Sequence, residues 1–466
     1  MDQLLSPGAG LVLDMRGAEP PEALAWEYVN AFFDNCWEAR LGFVSRSDFE
    51  AQLQAHFYNE TPWCNDHATY ALRNVVFAAG FRSLQAQSGT VSYTTAQKDA
   101  WQGCFSNALS VLAGLLLSPS QLSAVQALAL MACYVESLGR PGFQRILCDN
   151  AVRAAVTQGL HREHKQLINT SLDESVKNAW LWWSLYVLEK HIAFVSGTPS
   201  VIDDSTITTP IPSEVSMDSN IDMQYLTLAL RHTKICSRIT RELMSTQARR
   251  LSVDALRKTV KEFDQQIKDF LRDLPSRFQI GTLAKLSTDG QRIPHPNQAL
   301  YLHFSIYGSL LAVHSQFFYP WISSRLVDHD PENLIATQLK ASSNIVAEAA
   351  RKILVALRTL TTDAATPGWL AFSYPIYAHL SLLVYVLRNP TASTTRADLG
   401  LLDVCAGHFG YIDFITASAV SISLPRESVN LAAKVVKAAE KRQDEDRAAD
   451  LDRITDSTRG YIPGKP

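Results

Sequence analysis

SLDESVKNAWLWWSLYVLEKHIAFVSG, running from Ser171 to Gly197, is the stretch that decides the fold. Ser171 followed three residues later by Glu174 is a capping-box pattern, in which each side chain can satisfy a backbone N–H of the other, so a helix is expected to start here. Trp180, Trp182, Trp183, Leu185, Tyr186, Val187, Leu188, Ile192 and Phe194 then place apolar groups on nearly every helical face. A helix with no polar side cannot lie at the surface, and this one is predicted to be the central, buried helix. Gly197 ends it, because a left-handed terminal residue costs glycine little.

Helical patterns continue on both sides. Upstream, Ser118 as N-cap, Pro119 at the first helical position and Gln121 completing a second capping box predict a helix through Leu122, Val125, Leu128, Ala129, Ala132 and Cys133. It should stop near Gly139-Arg140-Pro141-Gly142. The next helix carries Phe143, Leu147, Ala151, Ala154 and Ala155 on one face and ends at Gly159, and the pair is expected to pack antiparallel. Alternating strand patterns bounded by Asn-Gly or Asp-Gly turns do not occur, and no repeat of solenoid length is evident. The expected fold is all-α: a large multi-helix domain around a buried, aromatic-rich helix.

The 466 residues, 47% hydrophobic, can bury one large core or two ordinary ones. A formal charge of −3 provides no general attraction to nucleic acid or acidic membranes, so any DNA contact must come from a local patch. Seven dispersed cysteines without a Cys-x-x-Cys pair fit a reducing compartment. The first residues lack the basic start and apolar run of a secretory signal. Phe105–Val135 and Trp369–Leu387 are free of charge over about a membrane's width. Ser118-Pro119-Ser120 breaks the first, and Ser373, Pro375, His379 and Ser381 interrupt the second, so both are read as core helices and no membrane partner is expected. Residues 1–21, with Gly and Pro concentrated in Leu4–Pro21, read as a flexible leader and residues 434–466 as a charged, weakly ordered tail. Between them, 22–433 forms the helical domain.

A family resemblance emerges within 121–212. Ala151-Val152-Arg153-Ala154-Ala155 leads into Gly159-Leu160-His161-Arg162. Trp182-Trp183 is followed by Tyr186 and Glu189-Lys190, and Gly197-Thr198-Pro199 leads through Ile202, Asp203 and Asp204 to Pro210 and Pro212. In this order the elements resemble the regulatory domain, or middle homology region, of fungal zinc-cluster transcription factors. Thr198 stands where that pattern has arginine, and its basic run is reduced to Lys177-Asn178-Ala179. The resemblance implies a nuclear regulator of transcription that contacts the transcription machinery or other regulators, admits a homodimer, and responds to a small-molecule effector; a cytoplasmic location is the alternative. The family's DNA-binding module holds zinc through six cysteines in a basic segment. No such segment is found, so no zinc or other cofactor is expected in this chain, and DNA contact is expected to be indirect or weak. Alternatives are a non-catalytic scaffold of the same fold and a helical enzyme of secondary metabolism.

His161, Glu163 and His164 lack the His-Glu-x-x-His order of a helical zinc site, so no metal is expected there. Trp182, Trp183 and Tyr186 could line a pocket, but on so apolar a helix they are read as packing, as are Tyr301, Phe304, Tyr307, Phe317, Phe318 and Tyr319. Asp203-Asp204 lacks the further carboxylates of a magnesium–diphosphate site and is read as a turn or cap. Neither a Gly-rich phosphate loop nor a Gly-x-Ser-x-Gly elbow is present, so no catalytic residue is assigned and the chain is not read as an enzyme. Arg231, Lys234, Arg238 and Arg241, spaced for one helical face, form a candidate contact for phosphates or an acidic partner. Leu228, Ile235, Ile239 and Leu243 mark the apolar side.

Overall fold

The aromatic stretch is helical from Leu172 to Ser196, and every residue from Trp180 to Phe194 is buried. The computed structural model describes residues 17–58, 66–88, 103–117, 121–163, 172–216, 219–280, 295–327, 334–363, 366–415 and 421–459. Sixteen α-helices and no strand occur among them. The chain divides into two units: residues 1–306 with 360–373 and 415–419, and residues 307–359 with 374–414 and 420–466.

The first unit contains α1 (Glu22–Asn35), α2 (Arg46–Tyr58), α3 (His67–Ser88), the short α4 (Cys104–Ser110) and α5 (Leu112–Leu117), α6 (Leu122–Glu136), α7 (Pro141–Thr157), α8 (Leu172–Ser196), α9 (Met223–Ile239) and α10 (Val253–Arg272). Helix α8 packs against α7 and α9, α7 against α6, and α3 against both α1 and α6. At Gly80 in α3, a Cβ would lie 1.9 Å from the carbonyl oxygen of Tyr28 in α1, so only glycine allows this backbone approach. Arg82 of α3 and Glu38 of the short turn Glu38–Arg40 form a buried ion pair at 2.9 Å. Arg82 also donates to the Tyr134 carbonyl, sits over the Tyr134 ring and bonds to Ser137, so its charge is compensated from several sides.

Helix starts differ in detail from expectation. Ser118, Pro119 and Ser171 lie outside the described residues. Helix α6 begins at Leu122 with Gln121 itself at the N-cap, where its side chain makes no capping bond. Gln121 therefore does not close a capping box, and this position favours the shorter Ser, Thr, Asp and Asn. The ends follow the glycines. Gly159 and Gly197 take φ of 77° and 66°, and the N–H groups of Leu160 and Thr198 donate back to the carbonyls of Ala155 and Ala193 at 3.0 and 3.1 Å. This closes both helices with the same left-handed turn.

Helix α11 (Pro296–Phe318) contributes to both units. The second unit continues with α12 (Pro320–Val327), α13 (Leu334–Ala356), α14 (Tyr374–Arg388), α15 (Thr395–Ile415) and α16 (Leu424–Arg459), with α14 packed against α13 and α16. The charge-free segment near 370 is a π turn, Trp369–Ser373, followed by α14. Leu370–Arg388 is long and apolar enough to cross a membrane, yet half of it is buried in the protein. The C-terminal segment from 434 is helical through Arg459. Its exposed face carries a Lys441–Glu445 pair one turn apart, Val436 is buried near its start, and Val429 and Ala432 are buried in the preceding turns of α16.

Candidate functional site: a strap along the aromatic helix

After Gly197 the chain turns back, and residues 198–216 run antiparallel along α8 as a strap that is extended apart from the short turn at 204–206. Prolines at 199, 210 and 212 fix its φ angles and remove N–H donors, and the strap's carbonyls find partners on the helices. Trp180 Nε1 donates to the Glu214 carbonyl at 2.8 Å and Trp183 Nε1 to that of Pro210 at 3.0 Å. One step further along α8, the Tyr186 hydroxyl donates to Asp204 at 2.8 Å, and Lys190 Nζ donates to the Ile202 carbonyl at 2.9 Å. Positions 180, 183, 186 and 190 lie three or four apart, so one face of the helix supplies a column of donors. Glu189 takes the opposite part, accepting from Val201 N–H at 2.9 Å and Ser200 Oγ at 2.7 Å.

Asp204 is the polar centre. Its carboxylate accepts from Tyr186, from Lys190 at 3.2 Å and from Ser237 of α9 at 2.9 Å. Lys190 and Tyr186 are almost fully buried, so the ammonium depends on this carboxylate and on the Ile202 carbonyl for compensation. Burial, and then the charge of Asp204, push the Tyr186 hydroxyl well above its ordinary range, and burial likewise raises the Glu189 carboxyl. Asp203 caps the short turn Asp204–Thr206 by accepting from Ser205 N–H. Thr198 and the Pro199 carbonyl both accept from Arg145 of α7, the latter at 2.6 Å. A guanidinium from a neighbouring helix thus serves the place where the resemblance has arginine in the strap itself.

The Gly159–Arg162 turn docks the middle of the strap. The His161 carbonyl accepts from the N–H groups of Thr208 and Thr209 at 2.9 and 3.2 Å, and Thr209 Oγ1 donates to the Leu160 carbonyl at 2.7 Å. His161 is buried with its ring 5.7 Å from Trp182, whereas Arg162 and Glu163 are exposed. His164 lies outside the described residues. Among the described residues no group of three or more His, Cys, Asp and Glu side chains is arranged to hold a metal ion.

The basic stripe is interrupted. Helix α9 ends at Ile239 and a π turn, Thr240–Met244, follows, so Arg241 lies beyond the α-helical segment that carries Arg231, Lys234 and Arg238. The cations also have local partners. Arg238 bonds Glu242 and Gln266, each at 3.1 Å, and Arg241 bonds Glu242 at 3.1 Å. Arg231 lies over the Phe270 ring and Lys234 over the Trp183 ring, 5.0 Å from its centre. Of the more distant aromatic residues, Tyr301, Phe304, Phe317 and Phe318 are buried. The contributions of Arg145, Ser237, Thr208 and Thr209 could not be found in any short motif. Their only sequence signal is that buried indole, phenol and ammonium groups on α8 require acceptors.

The sequence profile of the fungal specific transcription factor domain matches residues 29–289, more than half of the chain. The chain belongs to this family. An ABC-transporter-regulating transcription factor of Aspergillus oryzae is 27% identical over 405 residues, covering 83% of this chain and 43% of that protein. Its Aspergillus fumigatus namesake is 26% identical with the same coverage. An uncharacterised transcriptional regulatory protein of Schizosaccharomyces pombe is 24% identical over 96% of this chain and 69% of its own length. The fungal transcription factor domain chain thus spans less than half the length of the two Aspergillus relatives. No solved structure matches it.

Proposed function

We propose that the chain acts as the regulatory part of a fungal transcription regulator, without catalysis of its own. The match of the family profile to residues 29–289 is the observation that carries this reading. The strap supports it: residues of three helices and the 159–162 turn converge on one segment, giving a single packing that a bound partner or effector can stabilise or oppose. In this reading the domain works in the nucleus, contacts the transcription machinery or other regulators, and reaches DNA through them.

Tethering the 466-residue chain to an unrelated DNA-binding domain upstream of a reporter tests the reading. Reporter output should rise or fall several-fold relative to the DNA-binding domain alone, and a Trp183→Ala fusion should lose the effect at equal protein level. Output indistinguishable from the DNA-binding domain alone, with the fusion folded and nuclear, would overturn it.

A further inference from the structure

Helix α15 (Thr395–Ile415) buries one side, through Thr395, Asp398, Leu402, Cys405, Phe409 and Ile412. On its other side Ala397, Gly400, Val404, Gly407, Tyr411 and Phe414 are all exposed. Their spacing of three, four, three, four and three is the repeat that keeps one stripe turned toward a partner helix. The solvent face of a helix ordinarily carries charge, yet none of these six does, and Val404 and Tyr411 are each 51% exposed and Phe414 79%. The two glycines have no reason within the chain. Both lie inside a helix, where glycine is a poor choice, neither takes a positive φ, and a Cβ on either would meet nothing within 4 Å. Close approach by a second backbone is what such positions permit.

We propose that this face pairs with the same face of a second copy of the chain, the two α15 helices running antiparallel about a two-fold axis. When the axis passes between Val404 and Gly407, Ala397 meets Phe414 of the other copy, Gly400 meets Tyr411, and Val404 meets Gly407. Each of the larger side chains then enters space beside a small one, and the symmetry repeats every pair. Parallel pairing would set Phe414 against Phe414 and glycine against glycine, holding the helices apart at one end and leaving voids between them elsewhere. Charge on the flank agrees with the antiparallel register. The exposed Asp403 falls closest to Gly410 of the other copy, and Arg426 of α16 lies at Gly410, its Nη2 3.2 Å from where a Cβ would be. The two carboxylate–guanidinium encounters sit at the rim, where they fix register more than strength. The stripe is about 26 Å long at 1.5 Å per residue. Two helices packed along it would bury roughly 800–1,000 Å² together, less than standard stable complexes do, so the pair is reversible, with a Kd of about 10–100 μM. This rests on the α15 surface and not on the regulatory reading above.

Sedimentation velocity of the whole chain from about 1 to 300 μM, bracketing that Kd, provides the first test and should show a reversible monomer–dimer equilibrium. Gly400→Leu combined with Gly407→Leu fills the space that the opposing Tyr411 and Val404 need, and should weaken dimerisation at least about tenfold. The monomer of this variant should melt no lower than wild type, since leucine is the better helix former and a Cβ finds room at both positions. Cross-linking reads the register. Gly400→Cys combined with Tyr411→Cys should give a disulfide-linked dimer on copper-catalysed air oxidation, and either single variant should not. Within one copy these positions are about three turns apart, too far to bridge. A chain that stays monomeric at the highest concentration, whatever other proteins it captures, would overturn the proposal. So would undiminished dimerisation of the folded double-leucine variant, or cross-linking of a single-cysteine variant as fast as the pair.

Discussion

Trp183 does two jobs at once: its ring is buried, and its indole N–H holds the Pro210 carbonyl. Trp183→Ala removes both and should cost about 3–5 kcal/mol, as other large-to-small core replacements do. Trp183→Phe keeps most of the apolar contact and should cost distinctly less. Urea unfolding of both variants checks the order, and an alanine variant melting with wild type would show that the side chain is not part of the core. Asp204 differs, since what it stabilises is the charge of Lys190 and the phenol of Tyr186. Asp204→Ala should cost about 1–3 kcal/mol by leaving buried donors unpaired. Adding Lys190→Met removes the stranded ammonium, so the double variant should lose less than the sum of the two single losses. Strict additivity in that cycle would show that the two side chains do not act together.

At the scale of elements, helix existence was legible wherever apolar spacing was strong, and helix ends were legible where glycine marked them, at Gly159 and Gly197. The π turn after α9 was not. Thr240-Arg-Glu-Leu-Met continues a helical pattern, but Thr240 Oγ1 donates back to the Cys236 carbonyl at 3.1 Å, an alternative that local spacing does not reveal. The strap's path was equally hidden: its prolines announce an extended exit, whereas its partners are spread over α7, α8, α9 and the 159–162 turn. The interior face of α8 and α9 also carries a pH dependence. Burial lowers His191 to about 3, aided by nearby His232, and lowers His232 to about 4. Both stay neutral in the folded chain while the unfolded chain takes up protons below about 6.5, so stability falls as pH drops through that window toward 4. Each histidine should remove roughly 2 kcal/mol by pH 5, from about 1.4 kcal/mol per unit. Glu38 and Glu189, raised by burial, act in the opposite direction. Comparing wild type with His232→Gln cancels their share, and the variant should lose less stability between pH 7 and 5. Parallel pH profiles would place His232 in contact with water.

For the whole molecule, the question is what a chain of net charge −3 with this distribution of cations can do with DNA. Sequence readout requires an element inside a groove with donors facing base edges, supported by lysines and arginines on phosphates. The candidate stripe offers four cations. Two of them, Arg238 and Arg241, share Glu242, and the other two lie over aromatic rings. Even if all four reached phosphates, binding would fall with salt at a logarithmic slope of no more than about 4, carrying no preference for sequence. The purified 466-residue chain is therefore expected to show weak retention of DNA at low salt and none at physiological salt. Selection from a random duplex pool should enrich no motif. A short motif enriched at physiological salt would sink this expectation, and Arg231 and Lys234, whose partners are rings rather than carboxylates, would be the first residues to replace. A shift that disappears with salt and is equal for all sequences would instead match counterion release from a small patch, leaving promoter choice to whatever the regulatory helices contact.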